Sequence, residues 1–244
     1  MRTLLVAVLS LVTIAPAVPA AAAEAPRRPI SAVVVDPGSR AYGHTYGEWS
    51  ARWWQYVLSI PVNRNPLTDT IGRRCGERQS GPVFFLGAEY NHFRTVNRTC
   101  RVPAGKALFF PVINCKNDNT VPIAPAGQTQ PGPNHDKFDT LLTGCRNFIN
   151  GASELSAELD GRAVTGLTLT SAYRASSPAF RVRTPADNLL RAAGDNVGRQ
   201  TITPVAADGV YLMLRPLRRG THTLRFQAHY GTAALDVTYR LRVS

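Results

Sequence analysis

The chain is short of negative charge, of lysine and of clustered metal ligands, and each shortage removes a class of function. Sixteen acidic residues stand against 28 basic ones in 244 residues, a formal charge of +12. Only Lys106, Lys116 and Lys137 are lysines, so the excess is arginine, spread along the chain with small clusters at Arg73, Arg74 and Arg78 and at Arg215, Arg218 and Arg219. A nucleic-acid reader concentrates basic residues in one stripe with interleaved aromatics. The spread seen here argues against sequence-specific nucleic-acid binding and fits attraction to anionic extracellular polymers. The five histidines (His44, His92, His135, His222, His229) form no H-x-H, H-x₃-H or H-E-x-x-H group, and no cysteine pair has C-x₂-C spacing. No metal site and no cofactor is therefore expected. The G-x-S-x-G frame of a serine hydrolase is also missing.

What is present begins with export. Met1-Arg2-Thr3 is a short positive start, Leu4–Val18 is apolar, and small residues run from Pro19 to Ala23. This is the pattern of a secretory signal peptide over residues 1–23, cut after Ala23, with Ala20 and Ala22 as the alternative sites. No later segment reaches the roughly 20 apolar residues that a membrane span needs. A secreted protein, extracellular or periplasmic, of 221 residues (244 − 23) is the expectation, read as one domain over 24–244. In such a compartment four cysteines read as disulfides. Of three possible pairings, Cys75–Cys100 and Cys115–Cys145 close local loops and are preferred.

The best-specified local element is Thr45–Pro61, which holds all three tryptophans. Trp49, Trp53, Tyr56, Val57 and Ile60 fall on one face at helical period, predicting an amphipathic helix over 46–59. Thr45 and Glu48 have capping-box spacing, and Pro61 stops the helix. Trp54 lies off the apolar stripe and is the candidate ligand-binding residue, since an exposed indole stacks on sugar rings.

Elsewhere the pattern is β. Gly81–Leu86 and Lys106–Ile113 are short apolar runs bounded by Gly and Pro, read as buried strands; Pro111 marks an edge or a bulge. Asn114–Cys145 is polar and proline-bearing, read as a long loop with at most a helical turn near Asp136–Leu142. From 151 to 244 strands dominate: Asp160-Gly161 has hairpin-turn chemistry, and Thr221–Tyr230 alternates with Leu224, Phe226 and Ala228 on one face. The fold class expected is mainly β (α+β), an antiparallel β-sandwich with one N-terminal aromatic helix and two disulfides.

The blocks E-W-S-A-R-W-W-Q-Y (Glu48–Tyr56), N-P-L-T-D-T-I-G-R-R-C (Asn65–Cys75), G-P-V-F-F-L (Gly81–Leu86) and C-R-V-P-A-G-K-A-L-F-F-P-V-I-N (Cys100–Asn114) resemble, in this order, a family of exported bacterial proteins with no established activity. The resemblance implies export and a shared core, and carries over no site.

Two functions follow as expectations. The first is a non-enzymatic binding or surface-interaction module for an extracellular polymer such as cell-wall glycan. The alternative is a glycan-directed hydrolase using paired carboxylates, for which Glu48 and Asp69 are the candidate catalytic pair. His135 with Asp136 is a second candidate, a base beside an orienting carboxylate.

Overall fold

A computed structural model describes residues 29–90, 92–124, 127–129, 132 and 135–244. The signal peptide expected over 1–23 lies outside the described residues. The described residues are mainly β, with four α-helices and two five-stranded sheets among them. In order these are α1 (Ile30–Val33), α2 (Tyr46–Ser59), β1 (Val83–Phe85), β2 (Thr95–Val102), β3 (Ala107–Asp118), α3 (Phe138–Asn150), β4 (Ala152–Leu159), β5 (Arg162–Ala163), β6 (Arg174–Ser176), β7 (Phe180–Thr184), α4 (Leu189–Ala192), β8 (Gln200–Leu214), β9 (Gly220–Tyr230) and β10 (Ala233–Val243).

The first sheet runs β1-β3-β8-β6, with β7 also paired to β8; the second runs β2-β10-β9-β4-β5. Pairing is not all antiparallel as the strand spacing suggested. β1 lies parallel to β3, and β2 parallel to β10. The N-terminal strands thus join sheets whose other members come from the C-terminal part of the chain. Single-strand periodicity contains no information about such partners.

β3 and β8 are apolar on both faces because both faces are covered. Leu108, Phe110, Val112, Leu212 and Leu214 share one buried cluster with Leu224, Phe226, Val237 and Tyr239 of the second sheet. Phe110 and Phe226 meet there with ring centroids 5.0 Å apart. The alternate residues, Phe109, Tyr211 and Met213, share a second cluster with Tyr46, Trp49, Trp53 and Val57 of α2. Period-2 alternation in one strand feeds two cores. Burial of a side chain such as Phe226 contributes roughly 1.5–3 kcal/mol.

α2 begins at the predicted capping box. Glu48 N–H donates to Thr45 Oγ1 (3.2 Å), and Thr45 N–H donates to Glu48 Oε2 (2.7 Å). The Asp160-Gly161 turn has positive φ at both positions (52° and 72°), the geometry that hairpin chemistry demands. Pro111 lies beside a register shift between Pro111 and Ile113 and just beyond the point where β1 stops pairing with β3, at Phe85 and Phe109.

One expectation is corrected. The segment 114–145 is mostly regular: β3 continues to Asp118 and α3 starts at Phe138. Leu141, Leu142, Cys145 and Ile149 supply the buried stripe that makes α3 a helix. β2 was not among the expected strands; its exposed–buried alternation is regular from Thr95 to Val102. Of the two bridges expected, Cys75–Cys100 is closed (S–S 2.02 Å), while Cys115 and Cys145 are thiols whose Sγ atoms stand 2.8 Å apart.

Candidate functional site

The C-terminal half of α2, the segment after β1, the bulged end of β3 and α3 enclose a cavity of about 230 Å³. Trp53 and Trp54 come from α2, Tyr90 and Phe93 from the segment after β1, Asn114, Cys115 and Lys116 from β3, and Phe148 from α3. The bulge at Pro111 resets the strand just before Asn114, so residues 114–116 reach this wall.

All three tryptophans are buried, Trp54 with 4% exposure. Trp49 Nε1–H donates to the Ala41 carbonyl (2.9 Å) and Trp53 Nε1–H to the Leu86 carbonyl (2.7 Å). Trp54 Nε1 is buried and has no acceptor, whereas the Asn114 side chain is buried beside the Tyr211 hydroxyl, on which it acts as a hydrogen-bond partner. Leaving a buried donor unpaired costs about 1–3 kcal/mol. Both residues contribute to the cavity lining. The Trp54 ring meets Trp53 and Tyr90 edge-on, at 4.9 and 6.4 Å between centroids.

The charges around the cavity are held in pairs. Lys116 Nζ contacts Asp118 Oδ2 at 2.5 Å. Burial opposes its charge, but the Asp118 carboxylate outweighs that and holds the ammonium above the usual lysine range. Glu89 is bound in bidentate fashion by Arg94, at 2.6 Å and 2.5 Å. Burial pushes the Tyr90 hydroxyl above the usual tyrosine range, so it remains a neutral donor. Cys115 donates to Cys145 Sγ, which donates in turn to the Ala206 carbonyl (3.7 Å). The adjoining Cys115 thiol, with burial, holds the Cys145 thiol above the ordinary cysteine range.

Glu48 and Asp69 do not line this cavity. Glu48 caps α2 and contacts Arg40 (3.1 Å) and His44 (3.7 Å). Its carboxyl is held below the usual range, first by the Thr45 N–H and then by Arg40. Asp69 is buried and accepts from the backbone N–H groups of Ile71 (3.1 Å), Gly72 (3.1 Å) and Arg74 (2.6 Å). Both carboxylates are thus committed to backbone amides. His135 and Asp136 line a different, shallow cavity with Asn119 and Thr203. The backbone of Asp136 is fixed by Asn119, which donates to its carbonyl (3.0 Å) and accepts from its N–H (3.2 Å). Among the described residues no three His, Cys, Asp or Glu side chains are placed to hold a metal ion, and no helix is long and apolar enough to cross a membrane.

Sequence reading missed two features. Asn114 carries no motif, and only its place just beyond a proline-marked bulge points to it. Arg98 is 3% exposed and donates to the carbonyls of Asp69 (2.8 Å) and Gly87 (2.5 Å) and to Tyr239 Oη (2.9 Å). This one guanidinium ties the Asp69 loop to β2 and β10; the regular exposed–buried alternation of β2 was the signal that could have shown it facing inward.

No family model and no curated protein matches the sequence. Two solved structures are weakly similar: the cysteine protease inhibitor EhICP2 from Entamoeba histolytica, at 12% identity over 66% of this chain and 96% of that one, TM-score 0.23; and PbICP-C in complex with falcipain-2, at 9% identity over 67% and 100%, TM-score 0.26. Likenesses this slight establish neither a fold nor an activity for this chain.

Proposed function

We propose that the protein is an exported, non-enzymatic binding protein that takes one sugar unit of an extracellular glycan, such as cell-wall glycan, into the cavity walled by Trp54, Tyr90 and Phe148. The observation that supports the reading is a cavity lined by Trp54, Tyr90 and Phe148 with the polar side chain of Asn114 among them, where Trp54 Nε1 has no partner in the fold. A sugar ring offers an apolar C–H face to aromatic side chains and hydroxyl oxygens to N–H donors. The volume, about 230 Å³, fits a single ring rather than an extended chain. The arginine excess supports the reading by drawing an anionic polymer to the surface. In this reading the two sheets form a β-sandwich through the Phe110–Phe226 core, α2 lies on the outer face of the first sheet, and α2 with β3 frames the cavity.

The test is equilibrium binding of the purified protein to soluble cell-wall glycan fragments at physiological salt. Saturable binding that Asn114→Leu weakens, with the fold unchanged by circular dichroism, supports the proposal. Absence of binding to any fragment contradicts it.

A further inference from the structure

A second concavity lies at the opposite edge of the second sheet. We propose that it is an anion site for a phosphate-bearing ligand, built on Arg215, Arg218 and Arg219. The groove, of about 690 Å³, is framed by the β8–β9 connection, the β4–β5 turn at Asp160-Gly161 and the end of α1. The three arginines are exposed and line it, and none of them forms an ion pair with a described acidic residue. The one acidic side chain in its wall, Asp160, is already engaged: Oδ2 meets His222 Nδ1 at 2.8 Å, and Oδ1 accepts from the Thr223 N–H at 2.9 Å. Its charge therefore does not screen the guanidinium groups by contact.

The frame is anchored rather than loose. Arg215 N–H donates to the Val33 carbonyl (2.8 Å), and His222 Nε2 lies 2.9 Å from the Arg218 carbonyl. His222 thus buckles the β4–β5 turn to the β8–β9 connection, holding the backbone that carries the arginines. Three forked guanidinium groups offer more donors than one carboxylate can accept, and a phosphate group, with three acceptor oxygens and up to two charges, matches them better. The site is independent of the aromatic cavity and stands or falls separately from it.

The experiment measures binding of the purified protein to inorganic pyrophosphate by titration calorimetry, and to vesicles of phosphatidylglycerol and of phosphatidylcholine by sedimentation. Arg215→Gln/Arg218→Gln/Arg219→Gln is compared with Arg101→Gln/Arg240→Gln/Arg242→Gln, which removes equal charge from exposed positions on β2 and β10. The expected result is pyrophosphate binding weakened at least tenfold in the groove variant and less than threefold in the control, with thermal stability unchanged. Binding to phosphatidylglycerol vesicles but not to free pyrophosphate also supports the site and assigns its source as a lipid headgroup. Equal loss in both variants would mean diffuse electrostatics and overturns the proposal. So does failure of the wild type to bind either phosphate form, or binding to a polycarboxylate alone.

Discussion

Trp53 and Trp54 are adjacent on α2 with ring centroids 4.9 Å apart and planes at 88°, yet only Trp53 finds an acceptor for its indole N–H. One indole is fixed to the Leu86 carbonyl as part of the fold; the other presents an unused donor beside a cavity. The account of the site rests on that asymmetry.

It predicts different consequences for the same substitution at neighbouring positions. Trp53→Phe strands the Leu86 carbonyl and leaves a void, so it destabilises by about 2–4 kcal/mol. Trp54→Phe removes a donor that had no partner and costs less, roughly 1 kcal/mol. Urea unfolding gives both values, and equal losses would remove the asymmetry.

Gly47 lies within α2, where alanine is normally better by about 1 kcal/mol. Here a Cβ would stand 2.2 Å from the Ser176 carbonyl oxygen, which is backbone and cannot rotate away. Gly47→Ala is expected to lower the thermal midpoint by several degrees instead of raising it. A raised midpoint would show that α2 does not press on the β6 end as described.

Cys115 and Cys145 are adjacent thiols on β3 and α3. In an oxidising compartment a disulfide oxidoreductase removing two electrons and two protons joins them. Peptide mapping, without reductant, of protein recovered from an oxidising compartment is expected to find both Cys75–Cys100 and Cys115–Cys145. Recovery of alkylated Cys115 and Cys145 would contradict the second link.

Glu48 and Asp236 both have carboxyl groups held below the ordinary range, Glu48 first by the Thr45 N–H and Asp236 first by its hydrogen bond with Arg225. A folded-state value below the unfolded one gives stability that is present above the unfolded value and lost as pH falls through the folded one. Stability is therefore expected to decline as pH drops below about 4. Glu48→Gln should flatten part of that decline in thermal melts taken between pH 5 and pH 2, and an unchanged slope would show that the cap carries none of it.

The helix was legible because its signal is local: a capping pair, an apolar stripe and a terminating proline all fall within Thr45–Pro61. The C-terminal hairpins were legible for the same reason, through alternation and the Asp160-Gly161 turn. The partners of β1 and β2 were not, since parallel pairing with β3 and β10 depends on registry across the chain. The proposed site was half legible. Trp54 stood out by lying off the apolar stripe, but the exposure expected of it is not found, since it is buried; Asn114 and Arg98 acquire their roles only from what the fold sets opposite them. Glu48 was marked by its capping-box spacing as engaged with a backbone amide, whereas Asp69 looked like an available acid because no local pattern shows the three amides it accepts from.

The most direct test of the central claim is the indole N–H spectrum of ¹⁵N-labelled protein, in which three tryptophans give three resonances. On titration with soluble cell-wall glycan fragments, the resonance that disappears in Trp54→Phe is predicted to shift most, with that of Trp49 unmoved. An unmoved Trp54 resonance at saturating glycan would contradict the account.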